Sequence, residues 1–106
     1  MSHVTTHVLD GAAGAAASGV EVTLVDADGD ALAAGSTDVD GRLALGPEEL
    51  PAGTYALVFQ TGAYFAARDT ATFYPSVTVT FAVADGRHHH VPLLLSPFAY
   101  STYRGT

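Results

Sequence analysis

Apolar and polar residues alternate in short runs along this chain, and glycine, aspartate or proline interrupts them every few positions. That period of two predicts strands separated by turns, not helices. Val77–Val83 is the clearest run: Val77, Val79, Phe81 and Val83 fall on one face, Thr78 and Thr80 on the other. Residues 20–26 alternate similarly, with Val20, Val22 and Leu24 inward, and end at the Asp28-Gly29 turn. Val4–Asp10 places Val4, Thr6 and Val8 on one face and Thr5, His7 and Leu9 on the other, with His3 continuing the second set. Ala31–Ser36 and Arg42–Leu45 flank an Asp40-Gly41 turn. Residues 54–60 carry Tyr55, Leu57 and Phe59 on one face, and residues 88–95 and 99–104 supply the last two strands. Residues 11–19 read as a loop of small residues, and 62–68 as one short helix after Thr61 as N-cap. The expectation is an all-β sandwich of eight strands with one short helix, one domain over residues 1–106.

Composition narrows the function classes. The chain has 106 residues and is 48% hydrophobic, enough for one core. A formal net charge of −7 argues against nucleic acid or an anionic membrane as partner. There is no cysteine, which removes disulfides, thiolate catalysis and cysteine-ligated zinc. The start, MSHVTTHVLD, has neither a basic segment nor an apolar core of a leader, so a soluble cytoplasmic protein is expected. Thr78, Thr80 and residues 100–103 leave two strands without charge on their outer faces, and edge-to-edge dimerisation is expected there.

The candidate chemistry is carried by few residues. The only basic residues other than histidine are Arg42, Arg68, Arg87 and Arg104. His7 and His90 each alternate with inward valines, and His88 shares the His90 face. The chain closes with Tyr103-Arg104-Gly105-Thr106 directly after a strand, where a frayed polar tail is the commoner ending. Three histidines, His7, His88 and His90, could in principle hold zinc with an open position, but the reading favoured here uses no metal or other cofactor.

Thr6-His7-Val8-Leu9-Asp10, Asp40-Gly41-Arg42, Thr61-Gly62-Ala63-Tyr64-Phe65, Phe73-Tyr74-Pro75, His90-Val91-Pro92-Leu93-Leu94-Leu95-Ser96-Pro97 and the closing Tyr100-to-Thr106 stretch together resemble the 5-hydroxyisourate hydrolases of the transthyretin-like family. The resemblance covers essentially the whole chain and implies a prealbumin-like sandwich of two four-stranded sheets forming a homotetramer, a dimer of dimers with its sites in a channel between dimers. It implies hydrolysis of 5-hydroxyisourate to 2-oxo-4-hydroxy-4-carboxy-5-ureidoimidazoline in urate catabolism. The family's functional residues fall on His7, Arg42 and His90 as catalytic groups and on Tyr103, Arg104, Gly105 and Thr106 as substrate-binding groups. Two positions depart from the family pattern: Thr106 stands where serine is common, keeping a hydroxyl and a carboxylate, and His89 where tyrosine is common, pointing away from His90. The implied reaction needs a base for water, a cation for oxyanion charge and donors for the ring edge. Which histidine is the base stays open. A non-enzymatic carrier of an aromatic ligand and an adhesive module are the competing classes; the resemblance disfavours the carrier because carrier relatives lack this histidine, arginine and Tyr-Arg-Gly set.

Overall fold

The computed structural model describes residues 3–106. Met1 and Ser2, expected to precede the first strand, lie outside the described residues. Alternation produces the expected strands, β1 (Val4–Asp10), β3 (Glu21–Val25), β4 (Ala31–Ser36), β5 (Arg42–Leu45), β6 (Gly53–Phe59), β7 (Val77–Val83), β8 (His89–Ser96) and β9 (Ala99–Thr102), and one helix, α1 (Thr61–Ala66). A ninth, β2 (Ala15–Ala16), lies inside the segment read as loop. Its two alanines give no alternation to read. It forms because Asp10 Oδ1 accepts the N–H groups of Ala12 and Ala13, and Gly14, at a φ of 68°, folds the chain back along β1.

The β-sandwich is therefore built from one five-stranded and one four-stranded sheet rather than two of four. The first runs β2-β1-β8-β9, with β5 also pairing to β1; the second runs β4-β3-β6-β7. One edge of β1 is shared along its length. Val4 to His7 pair with β5, and Leu9 and Asp10 with β2. The other edge pairs in parallel with β8 over seven residues. Strands β7 and β9, expected to pair with another copy, lie at the ends of their sheets.

Val4, Val8, Val20, Val22, Leu24, Leu57, Phe59, Val77, Leu93 and Leu95 fill the space between the sheets, essentially without solvent exposure. Thr6 is also inside, where its hydroxyl donates to the Val91 carbonyl at 2.6 Å and so costs little to bury. His3 departs from its expected outward position and is buried. It precedes β1, where its own N–H donates to the Pro47 carbonyl, and its ring Nδ1 accepts the Leu50 N–H. Its Nε2 lies 2.9 Å from Nδ1 of His89, which points inward as expected.

The helix is also displaced from its expected span. It starts at Thr61, without a side-chain cap, because the strand runs straight into it: the Gln60 N–H still bonds Glu21 and the Gly62 N–H bonds Pro75. Thr61 is consequently a buried helical residue whose hydroxyl has no partner. The helix is anchored through Tyr64, whose hydroxyl donates to Asp10 Oδ2 at 2.8 Å and whose ring carries the Arg68 guanidinium at 3.7 Å. Burial and the Asp10 carboxylate push the Tyr64 hydroxyl up to about 12. Among the described residues no helix is long and apolar enough to cross a membrane.

Asp10 thus holds both the β1–β2 turn and α1. Asp10→Ala leaves three donors without their acceptor and should lower stability by about 2–3 kcal/mol. The check is urea denaturation, where the midpoint should fall with the slope unchanged.

Candidate active site

Strand register alone brings the candidate side chains onto one face. In the antiparallel β1–β5 pair His7 lies opposite Arg42 and Thr5 opposite Ala44. In the parallel β1–β8 pair Thr5 lies beside His90 and His7 beside Pro92. Directly paired residues point to the same side of a sheet, so Thr5, His7, Arg42 and His90 share the outer face of the five-stranded sheet.

The turn before β5 aims Arg42. Asp38 Oδ1 accepts the N–H groups of Asp40 (2.8 Å) and Arg42 (3.0 Å), and its backbone exchanges bonds with Gly41 and Arg42. The Arg42 N–H holds the Asp38 carboxyl below its usual range; burial opposes this, and the Asp40 N–H and the Arg42 charge reinforce it. Gly41 has a φ of 76°, and a Cβ there would come within 2.3 Å of the Val8 carbonyl. Only glycine allows that approach, which explains why Arg42 follows an Asp-Gly pair. The Asp40 carbonyl in the same turn accepts from His7 Nε2 at 2.8 Å. His7 therefore carries its proton on Nε2, and in the neutral ring Nδ1 is left as an acceptor.

His90 is held from two sides. Its Nδ1 lies 2.8 Å from the Thr5 hydroxyl, which also lies 2.7 Å from Nε2 of exposed His88. Gly105 lies against the other edge of the ring, where a Cβ would come within 2.3 Å of His90 Cδ2, and its N–H donates to the His90 carbonyl. With Nδ1 engaged, Nε2 is the nitrogen left for chemistry. Burial lowers the His90 pKa first, and the charges of His88, Arg42 and His7 lower it further. The ring is thus neutral at pH 7 and becomes protonated only as the pH falls through a value below the ordinary ~6.5.

A cavity of about 420 Å³ opens over this face, lined by Thr5, Thr6, Asp38, Arg42, Leu43, Ala44, His88, His90 and Thr106. His7 borders it through its pairing with Arg42 but is not in its wall. Strand β9 stops at Thr102 because Pro92 has no N–H to continue the ladder; the Pro92 carbonyl takes the Thr102 hydroxyl, and the chain re-pairs only at Gly105. Tyr103 and Arg104 consequently line a neighbouring cavity of about 310 Å³ between the sheets, with Val79, Phe81 and His89. His90 borders both cavities. Within one chain, then, His7, Arg42, His90, Gly105 and Thr106 come together, while Tyr103 and Arg104 lie one cavity away.

His88 and His90 aim nitrogens at Thr5, and His7 aims Nε2 at Asp40, so the three rings do not converge on a common point. Among the described residues the group of potential metal ligands lying close together is Asp26, Asp28 and Asp30, in the β3–β4 turn, where Asp26 Oδ1 caps two backbone N–H groups. Sequence reading passed over Thr5 and Asp38. Thr5 was signalled by its place two residues before His7 on the same strand face, whereas Asp38 gave no signal beyond its position in an Asp-rich turn.

Residues 4–105 match the model of the HIUase/Transthyretin family. The 5-hydroxyisourate hydrolase of Salmonella dublin is 45% identical over 109 residues, covering 97% of this chain and 80% of that protein. Among solved structures, 5-hydroxyisourate hydrolase from Klebsiella pneumoniae superposes with a TM-score of 0.92 at 38% identity, covering all of both chains. Sea bream transthyretin in complex with thyroxine superposes with a TM-score of 0.89 at 31% identity, over 97% of this chain and 94% of that one. With a family match over residues 4–105 and whole-length similarity in sequence and fold, the chain belongs to the HIUase/Transthyretin family.

Proposed function

We propose that residues 1–106 form one transthyretin-like domain that hydrolyses 5-hydroxyisourate by adding water to a cyclic amide carbonyl. The observation carrying this reading is His90 on the same sheet face as Arg42 and His7, its Nδ1 held by the Thr5 hydroxyl, with burial and neighbouring charge lowering its pKa. The relatives named as hydrolases share up to 45% of its residues, which favours this reading over the carrier role that the transthyretin likeness also suggests.

In this reading His90 Nε2 takes a proton from water as the oxygen attacks the carbonyl carbon. Arg42 faces the negative charge that develops on the carbonyl oxygen, a stabilisation strongest in a site that excludes water. When the C–N bond breaks, the His90 imidazolium returns the proton to the departing ring nitrogen and neutral His90 is restored. His7 Nδ1 accepts a ring N–H and orients the substrate. Gly105 fixes the His90 ring and Thr106 stands in the wall of its cavity, while Tyr103 and Arg104 bind substrate from the neighbouring cavity that His90 also borders. Exposed Leu94 on this face, exposed Tyr100 and Tyr103 on and just beyond β9, and the position of β7 and β9 at the ends of their sheets support a tetramer in which a second copy covers the cavity.

Freshly generated 5-hydroxyisourate, followed by ultraviolet absorbance, tests the activity itself. Catalysed decay is expected; saturable binding of an aromatic ligand without catalysed decay would return the carrier reading. His90→Ala and His7→Ala should each lower kcat/KM by on the order of 10²–10⁴-fold with circular dichroism unchanged. Gly105→Ala should cost at least about tenfold in kcat, since a 1 Å displacement of a reacting group is enough.

Two further measurements bear on the tail and on metal. Deleting residues 103–106 should cut turnover severely at matched tetramer content by light scattering, and Thr106→Ser should be nearly neutral. Chelation with verified zinc removal should leave the rate unchanged; a dead apo-protein rescued by zinc would favour the three-histidine metal site.

A further inference from the structure

Thr5 makes two hydrogen bonds to imidazole nitrogens with a single hydroxyl. His88 Nε2 lies 2.7 Å and His90 Nδ1 2.8 Å from its Oγ1, and the two rings are 6.2 Å apart, centroid to centroid. One hydroxyl has one proton, so it can donate to only one of the two rings and must accept from the other. The tautomers of His88 and His90 are therefore tied together. Either His90 carries its proton on Nδ1 and leaves Nε2 bare, or it carries it on Nε2 and the direction of both bonds reverses.

We propose that Thr5 is a positioning residue of this site: its hydroxyl selects the His90 tautomer with a bare Nε2 and links that ring by proton relay to exposed His88. The proposal deepens the hydrolytic reading and rests on it for the role of Nε2. In the resting arrangement His90 Nδ1–H donates to Thr5, Thr5 O–H donates to His88 Nε2, and His88 keeps its proton on Nδ1. A proton taken from water at His90 Nε2 makes that ring cationic. Its Nδ1 proton can then pass to Thr5 as the Thr5 proton passes to His88 Nε2, so the charge moves from half-buried His90 to exposed His88, where water solvates it. No proton is lost, and the reverse transfer restores the start. His88 is thus a second seat for the proton while the ring-opening step is completed.

Two of the other groups facing His90 argue for such a seat. Arg42 on β5 and His7 on β1 both disfavour a positive charge on it; Asp38 in the 38–41 turn lines the same cavity with its Oδ1 engaged by backbone N–H groups, and Gly105 and Thr106 close the remaining side. A cation formed at His90 is therefore poorly held there, and Thr5 supplies its route outward.

Nitrogen-15 NMR of the imidazole rings reads the tautomer directly, without substrate. In the wild type, neutral His90 should be protonated on Nδ1; in Thr5→Val, which keeps the β-branched shape, it should shift to Nε2, because Nδ1–H would face a methyl group. Thr5→Ser should restore the wild-type tautomer. In kinetics, Thr5→Val should lower kcat about tenfold or more with KM changed less than about twofold, and Thr5→Ser should recover most of it. Should Thr5→Val not fold, His88→Phe asks the same question, since Thr5 is then free to donate to His90 Nδ1 and the Nε2 tautomer should grow. An unchanged His90 tautomer in these variants, or wild-type kcat in Thr5→Val, would overturn the proposal. A wild type that shows the tautomer pattern but does not turn over 5-hydroxyisourate would instead overturn the assigned reaction.

Discussion

The register of β1 between β5 and β8 is the constraint on which the rest of the structure depends. His7 opposite Arg42 and Thr5 beside His90 both follow from it. A slip of one residue would turn Val4, Thr6 and Val8 out to solvent and send the histidine and threonine into the core. Burial of Val4 and Val8 is thus what holds the site in place, and Thr6, bonded to Val91 inside the sandwich, ties β1 to β8 at the same level. Asp10 fixes one end of the strand, and Gly41 fixes one flank within the turn that aims Arg42. Stability and function here reside on alternate residues of one seven-residue strand.

The electrostatics of the site run against those of the whole protein. A chain of net charge −7 concentrates Arg42 and three histidines around one cavity, with Asp38 as the carboxylate in its wall. Asp38 spends its Oδ1 on backbone N–H groups, so Arg42 is aimed by the turn and stays available to a ligand. Each positive neighbour makes protonation of His90 less favourable, which suits a base that must be unprotonated at neutral pH. Strands β7 and β9, at the ends of their sheets, carry no charged residue.

Much of this was legible in the sequence because period-two alternation maps directly onto faces. Val77–Val83 and the inward set Val20, Val22 and Leu24 came out as read. Features set by backbone bonds were not legible. Strand β2 depends on the Asp10 turn, and α1 begins one residue early because Gln60 and Gly62 find distant carbonyl partners. His3 was misread since the strand's alternation does not extend to a residue that the Pro47 carbonyl turns inward. At the candidate site, the motifs pointed to His7, Arg42, His90 and the 103–106 segment, and strand register brings His7, Arg42 and His90 to one face; the cavity boundary that separates Tyr103 and Arg104 from them follows from Pro92 interrupting the β8–β9 ladder. The face of Thr5 was legible from its place two residues before His7, but its role was not: nothing in a sequence shows one hydroxyl lying between two rings.

The central claim is that this sheet face keeps His90 neutral and available through burial and neighbouring positive charge. Titration of the His90 ring by NMR, in the wild type and in Arg42→Gln, measures that most directly. A wild-type midpoint below the ordinary ~6.5, rising when the Arg42 charge is removed, is the result this account predicts. A wild-type midpoint at or above that value, unmoved by Arg42→Gln, would contradict it.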